Sequence, residues 1–479
     1  MQSIAMRFDE QKRRLAAARQ DHLLRFWGEL SDGQRGELLA DLEAIDVAAC
    51  AILVGEFVLR KPALQLPTEL TPPLAYPAVP GAGAGQRDEY DAAQQAGEAA
   101  IRDGRVAAFT VAGGQGTRLG YDGPKGGYCI SPIRNAPLFQ LFAESLLGIE
   151  RRYGTRPRWY VMTSPSNHEE TQRIFREQRW FGLRESDISF FSQGQMPAFM
   201  LDGRIALAEK HRLALSPDGH GGSLTALAKS GALGDMRQRG IDYVSYFQVD
   251  NPLVRTIDPL FVGLHIRTGS EMSSKAVSKA SDLERVGNFC LADGKLTIIE
   301  YSDLPEALAV SKNADGSRRF DAGSIAVHVM SREFIERLTG SDSPLQLPWH
   351  RADKKVEMID DRGESVKPDQ PNAVKLEMFV FDAIPLARNP LLLMTPREEE
   401  FSPVKNAEGS DSPATTRRDL VRRAARWLVA ANVAVPRRAD GEVDATLEIS
   451  PRYALDAGDL ATRLTSKPTI PYGGSLLLE

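Results

Sequence analysis

Two periods of apolar residues divide the chain. Between Phe8 and Leu59, in a stretch rich in Ala, Leu, Glu and Arg, positions such as Leu15, Leu23, Phe26 and Leu30 recur at roughly helical intervals. A helical N-terminal region is expected there. "RDEYDAAQQAGEAAIRDG" then reads as a helix ending at Gly104, and "RVAAFTV" as a short buried strand. From there to about residue 390, short apolar runs alternate with longer helical stretches. "RWYVMTS" precedes "NHEETQRIFREQRWFG", and "YVSYFQV" follows "LTALAKSGALGDMRQRG". Such alternation predicts an α/β domain built on a central, doubly wound, mainly parallel sheet, with ligands at the carboxyl ends of the strands. Beyond Asp411, "TTRRDLVRRAARWLVAANV" predicts one helix, followed by short strands.

Six prolines between Pro62 and Pro80, followed by "GAGAG", can continue neither a helix nor a central strand, and so mark a linker. The expected organisation is a helical N-terminal region and linker over 1–86, a central domain over 87–395 and a small C-terminal domain over 396–479. A chain of 479 residues is long enough for such a division.

Composition narrows the function more than the fold. With 42% hydrophobic residues, 26% charged residues and a net charge of -5, the chain is globular and carries no basic footprint for nucleic acid. Its three cysteines, Cys50, Cys129 and Cys290, are far apart and form no CxxC pair, so neither a disulfide framework nor a thiolate zinc site is suggested. The apolar run "VAACAILVG" is too short to span a bilayer. A cytoplasmic protein with no membrane partner is expected.

Against that background, "FTVAGGQGTRLGYDGPKGG", residues Phe109 to Gly127, stands out: seven glycines, one Arg and one Lys directly after an apolar strand. Gly113, Gly114 and Gly116 would let the backbone turn tightly and aim N–H groups at an anion. A Walker A needs GxxxxGK[ST], which is absent, and Gly114, Gly116 and Gly120 are spaced GxGxxxG rather than GxGxxG. Neither a P-loop ATPase nor a dinucleotide dehydrogenase fits. Arg118 and Lys125 stand close enough to meet a triphosphate lying on the loop. A plain surface turn with two solvated cations is the simpler reading of the same residues.

"AGGQGTRLGYDGPKGG" resembles the nucleotide-binding signature of the eukaryotic-type UDP-sugar pyrophosphorylases. "SQGQMPAFM", "SPDGHGGSLTAL", "FQVDNPLVRTIDPLFVG", "IIEYSDL", "FDAGSIAVHV", "PNAVKLEMFVFD" and "REEEFSPVKNA" follow in the order of that family's motifs, between about residues 90 and 450. The last two segments are most similar to the UDP-N-acetylhexosamine branch. The resemblance implies a Rossmann-like nucleotidyltransferase that takes UTP and a sugar 1-phosphate to a UDP-sugar and pyrophosphate, with Mg2+ as cofactor. It implies nucleotide contacts from Val111, Ala112, Gly113, Gly114, Lys125, Gln193, Gly219 and Asp250, and catalytic cations at Arg118, Lys125 and Lys405. Asp250 is also the implied metal ligand, while His220, Gly287, Glu300, Tyr301 and Ser324 are the implied sugar contacts.

Each residue has a plainer reading in isolation. Asp250 opens "DNP", where Asp and Asn before Pro start turns, although one carboxylate is chemically sufficient for magnesium that also takes phosphate oxygens and water. Most loop lysines resemble a solvated Lys405, Glu300 could be a strand-edge carboxylate, and His220 a packed loop histidine. Two positions depart from the acetylhexosamine pattern: His220 stands where Asn is usual, and "FDAGS" where "FNAGN" is usual. N-acetylglucosamine 1-phosphate is the expected substrate, with glucose or galactose 1-phosphate as alternatives. A noncatalytic nucleotide-sugar sensor on the same fold is the rival of another class.

Overall fold

The computed structural model describes residues 3–61, 67–81, 83–340 and 347–479. The first proline of the linker, Pro62, and 63–66 lie outside the described residues. Two compact units are present: unit 1 comprises 1–66, 193–225 and 347–382, and unit 2 comprises 67–192, 226–346 and 383–479. The units thus cut across the serial division read from the sequence. Two segments expected in the central domain belong with the N-terminal helices, because they share one apolar core.

In unit 1 that core joins Leu15, Leu23, Phe26, Leu30, Leu38 and Leu42 to Phe199, Ile205, Leu213, Val374 and Leu376. The helices are α1 (Ile4–Ala17), α2 (Asp32–Ala44) and α3 (Val47–Leu53). Ser31 and Gln34 form a capping box that starts α2, and Asp46 caps α3 through the N–H groups of Ala48 and Ala49. Leu23 and Phe26 are buried from short 3-10 turns and their flanks, not from one continuous helix. A three-stranded antiparallel sheet completes the unit, with Ala373–Met378 central between Trp349–Lys354 and Phe199–Met200.

Unit 2 is built on a ten-stranded sheet. Its strands are β1 (Leu70–Thr71), β2 (Val106–Val111), β3 (Trp159–Thr163), β4 (Ile188–Ser192), β5 (Tyr243–Gln248), β6 (Met272–Ser278), β7 (Asn288–Ala292), β8 (Lys295–Ile299), β9 (Ala322–Ser331) and β10 (Leu391–Met394). The path runs β1-β7-β9-β5-β2-β3-β4, with β6 pairing β9 and β10, and β8 pairing β7. The parallel core is β5-β2-β3-β4, and β9 continues it antiparallel to β5. β2 and β3 are buried along nearly their whole length, as strands covered on both faces must be.

Helices cover the sheet of unit 2: α4 (Ala84–Arg102), α5 (Leu138–Tyr153), α6 (His168–Glu177) and α7 (Pro259–Arg267) among them. α4 and α7 touch backbone to backbone. A Cβ on Gly97 would lie 1.8 Å from the carbonyl oxygen of Pro259, and one on Gly263 1.7 Å from that of Ala93. The helix expected from "NHEETQRIFREQRWFG" stops at Glu177, because Trp180 and Phe181 adopt left-handed backbone conformations. "LTALAKSGALGDMRQRG" likewise breaks at Gly231, whose φ is +82°. At the C-terminal end, α8 (Pro413–Ala430) packs with the parallel strands Ala445–Ile449 and Gly474–Leu478 around Trp427, Leu428 and Leu447.

Candidate active site

The glycine stretch leaves β2 and folds back on itself. The N–H of Gly116 donates to Gly123 O (2.9 Å) and that of Lys125 to Gly114 O (3.0 Å). Two 3-10 turns, Thr117–Leu119 and Lys125–Gly127, complete the loop. The glycines differ in what they supply. Left-handed or otherwise glycine-only conformations fall at Gly120 (φ +68°) and Gly123 (φ +154°), not at Gly113, Gly114 or Gly116. Gly116 is needed for space, since a Cβ there would meet the Tyr121 ring at 2.6 Å. Gly126 is needed more strictly, because its Cβ would lie 2.1 Å from Phe139 Cζ.

Asn167, fully buried, pins the start of the loop by donating to Ala112 O (3.1 Å) and Gly114 O (3.4 Å). Gly114 is exposed, and the Lys125 side chain passes 3.9 Å from where its Cβ would be. Arg118 is exposed in the first 3-10 turn. Among the described residues, neither Arg118 nor Lys125 makes a side-chain hydrogen bond or ion pair.

Backbone hydrogen bonds carry this loop to the other predicted residues of unit 2. Val249 N–H donates to Val111 O (3.1 Å), so the end of β5 is level with the loop's root, and Val404 N–H donates to Asp250 O (2.8 Å). Asn251 stitches the same two segments together: its amide donates to Glu400 O (2.7 Å) and its oxygen accepts from Ser402 N–H (3.1 Å). Val111, Asp250 and Lys405 therefore come together although nearly 300 residues separate the first from the last. The Asp250 carboxylate has no side-chain hydrogen bond or ion pair among the described residues. Lys405 Nζ stands 5.8 Å from the Phe401 ring centroid.

Asp411 belongs to this group and was missed by sequence reasoning. Its carbonyl accepts from the N–H groups of Lys405 (2.7 Å) and Asn406 (3.0 Å), with its own φ at +54°. Burial raises its carboxyl above the ordinary range, opposed by Lys405 and assisted by Asp250. The signal was the acidic run after Lys405, which reads as solvated surface until the fold closes it.

Four of the five residues implied for the sugar, Gly287, Glu300, Tyr301 and Ser324, lie at the starts of β7 and β9 and the end of β8. Ser324 N–H donates to Gly287 O (2.8 Å). A Cβ on Gly287 would stand 3.2 Å from Glu300 Oε1 and 3.8 Å from Ser324 Cβ, so the three surround one small space. Ser324 Oγ accepts from Ala326 N–H (3.4 Å). Because β9 runs antiparallel to β5, with Tyr246 opposite His328, the start of β9 lies toward the edge of the sheet where Asp250 follows β5. Tyr301 is 48% exposed.

The remaining positions belong to unit 1. Gln193 is only 7% exposed, yet its amide makes no hydrogen bond among the described residues. Gly219 has φ +86° and a backbone approach to Met378 that would leave a Cβ 2.3 Å from its carbonyl oxygen. His220 stacks on Phe379 (5.2 Å, 23°) and accepts from Val380 N–H at Nδ1 (3.1 Å), which puts its proton on Nε2. Burial, then the neighbouring His350, lowers its pKa to about 4, so the ring is neutral near pH 7.

Lys375, overlooked in the sequence, alternates with the core residues Val374 and Leu376 and so shares the opposite face of its strand with Glu377. The Cβ of Glu377 would be 3.1 Å from one on Gly219. Burial lowers the Lys375 pKa, with Glu377 opposing, and no ion pair holds it among the described residues.

A glycine loop at the end of a parallel strand, two unpaired cations on it, and a carboxylate and a lysine brought to the next strand's end define a nucleotidyltransferase. Residues 84–433 match the UTP–glucose-1-phosphate uridylyltransferase family, and the chain belongs to it. It is 39% identical over 434 residues to human UDP-N-acetylhexosamine pyrophosphorylase-like protein 1, covering 87% of this chain and 85% of that one. To the UDP-N-acetylglucosamine pyrophosphorylase of Saccharomyces cerevisiae it is 35% identical, covering 86% of this chain and 89% of the yeast protein. Its fold is similar to the crystal structure of the uridine diphosphate N-acetylglucosamine pyrophosphorylase from Trypanosoma brucei in complex with inhibitor. The TM-score is 0.83 at 27% identity, over 100% of this chain and 99% of that one. No helix among the described residues is long and apolar enough to cross a membrane.

Proposed function

We propose that the chain transfers the uridylyl group of UTP to N-acetylglucosamine 1-phosphate, releasing pyrophosphate, and runs the reverse reaction when pyrophosphate is in excess. The observation that carries this reading is the hydrogen-bonded path from Val111 through Val249 and Asp250 to Val404, which joins three sequence motifs of unrelated local chemistry at one edge of the sheet. The names of the yeast, human and trypanosomal relatives support the choice of sugar.

In this reading a phosphate oxygen of the sugar 1-phosphate attacks the α-phosphorus of UTP. One P–O bond forms, the bond to the β-phosphate breaks, and pyrophosphate leaves with its electron pair. The nucleophile is already ionised, so no protein base is required, and the work falls to positioning and charge neutralisation. Backbone N–H groups around Ala112, Gly113 and Gly114, with Arg118 and Lys125, hold the triphosphate, and Lys405 approaches the reacting phosphates from the other segment. Gln193, an enclosed amide with unused donors and acceptors, suits the paired edge of uracil, with Gly219 beside it. Glu300 accepts from sugar hydroxyls above the glycine floor at Gly287, and Ser324 offers one hydroxyl.

Asp250 would hold a magnesium ion, since its carboxylate is uncommitted and such an ion takes few carboxylates beside phosphate oxygens and waters. When bound, the ion supplies further neutralisation of phosphate charge. Three free thiols suit a reducing compartment, and we place the enzyme in the cytoplasm.

A panel of sugar 1-phosphates assayed for UTP-dependent pyrophosphate release tests the proposal. N-acetylglucosamine 1-phosphate should give the highest kcat/KM. Release with glucose 1-phosphate alone would move the assignment to the glucose enzymes, and UTP binding without turnover on any sugar would favour a sensor.

A further inference from the structure

Away from the glycine loop, unit 2 encloses a second polar space. A cavity of about 80 Å3 lies between the segment 252–259, α5, α8 and the segment 449–456. At roughly 10–15 Å3 per water it has room for several waters or for one small oxyanion. Its polar wall carries three guanidinium groups, Arg152, Arg255 and Arg423, against two carboxylates, Asp258 and Asp456. Phe142, Leu455 and Trp427 form the apolar wall.

Both carboxylates are already engaged. Asp258 accepts from Lys275 Nζ (2.6 Å) and Asp456 from Arg152 (2.5 Å). Arg423 donates to the carbonyls of Leu253 (2.8 Å) and Glu399 (3.3 Å). Arg255 makes no hydrogen bond or ion pair among the described residues, although Asp258, Glu400 and Asp456 act on it from farther off and help it keep its charge. Burial, with a contribution from Arg255, pushes Arg423 down to about 10. Two cations thus repel one another across the cavity, and no acceptor among the described residues meets the Arg255 guanidinium.

We propose that this cavity binds a small monocarboxylate, its oxygens between Arg255 and Arg423 and its short apolar body against Phe142 and Leu455. A guanidinium fork matches a carboxylate in two parallel hydrogen bonds. One surplus positive charge on the wall fits a monoanion, whereas a phosphate dianion would bring uncompensated charge into an enclosed site. The position gives occupancy a consequence. Arg255 follows Asp250 by five residues, and the carbonyl partners of Arg423 lie on the two segments that carry Asp250 and Lys405. The site does not depend on which sugar the enzyme uses.

The experiment titrates the full-length protein with [1-13C]acetate, following its line width, and in parallel measures the thermal midpoint in sodium acetate or propionate against sodium chloride at equal ionic strength. Expected are saturable broadening and a midpoint rise of about 2 °C or more over chloride, as mass action requires of a ligand that binds only the folded state. Arg255→Leu should abolish both effects by removing the fork, and Ala454→Leu by filling the cavity without changing its charge. Either variant decides if the other fails to fold. Acetate that neither broadens nor stabilises the wild type would mean that the cavity holds water alone. Effects that persist in a folded Arg255→Leu or Ala454→Leu protein would place the anion elsewhere. Either result overturns the proposal.

Discussion

Gly126→Ala adds one methyl group to the loop that carries Lys125, and the structure sets the size of the effect. The new Cβ would lie 2.1, 2.2 and 2.5 Å from the Cζ, Cε2 and Cε1 atoms of Phe139. Carbon atoms pack at about 3.5–4.0 Å, so something must retreat by more than 1 Å. The ring cannot easily do so: Phe139 is fully buried and lies 4.9 Å from Phe175 and 6.4 Å from Trp159, centroid to centroid. The loop must move instead, and Lys125 with it. Overpacking of this kind costs about 1–3 kcal/mol, and a displacement of about 1 Å in a positioning group costs up to ~10²-fold in turnover. Phe139→Leu removes the three ring atoms in question. We therefore expect Gly126→Ala to lower turnover about 10- to 100-fold and Phe139→Leu to do so only mildly. The double variant should recover most of the loss. Pyrophosphate release and thermal midpoints on all four proteins form a double-mutant cycle. Additive losses, with no recovery in the double variant, would refute the view that Phe139 sets the height of the loop.

Four further outcomes are expected. Lys125→Ala should lower turnover by ~10² or more, the scale of one lost electrostatic donor in a closed site, and unchanged turnover would reduce the lysine to a loop decoration. Asp250→Asn should lower activity and recover part of it at high magnesium; wild-type activity with the same magnesium dependence would make Asp250 a turn residue only. Lys405→Ala should lower turnover while circular dichroism stays at wild type, because its backbone N–H to Asp411 is retained. Finally, His220 has a folded pKa of about 4 against an ordinary 6.5, so its neutral burial contributes stability that is present above pH 6.5 and lost as pH falls from about 6.5 toward 4. The loss is at most about 3 kcal/mol, less as the partly accessible ring is screened, and His220→Asn should flatten the fall of thermal midpoint with pH over that window.

What could be read in the sequence was local. The strand–glycine–cation order of 106–127 survives translation into structure because each element depends on near neighbours, as do the helix ending at Gly104 and α8. Unit 1 could not be read this way: Phe26, Ile205 and Leu376 share a core only after three separate segments meet. Glycine roles were half legible, since spacing reveals a special backbone but not whether φ or crowding demands it, and Gly126 answers to an aromatic ring that is thirteen residues away. Asp411 and Lys375 were invisible for another reason. One acts through a carbonyl that any residue possesses, and the other looks like an ordinary lysine until its strand partners are known.

The same distinction bears on how Asp250 and Lys405 stay together. Their segments are joined by more than the backbone bond from Val404 to Asp250. Asn251 bridges to Glu400 and Ser402, and Lys275, with no exposed surface, donates to Asp258 and to both oxygens of Glu400 at 2.6 Å. Thr395 adds a hydroxyl to Glu400 (2.9 Å). A buried ion pair of this kind contributes little net stability against an apolar alternative, because desolvation offsets most of its attraction. It does, however, penalise strongly any arrangement in which Lys275 loses either carboxylate. An apolar contact between the two segments would tolerate sliding by an ångström, whereas a buried ammonium held by carboxylates from both sides does not. In the proposed reaction, which needs no protein base and depends on placing charges around phosphate, that intolerance is what the chemistry would require of the fold.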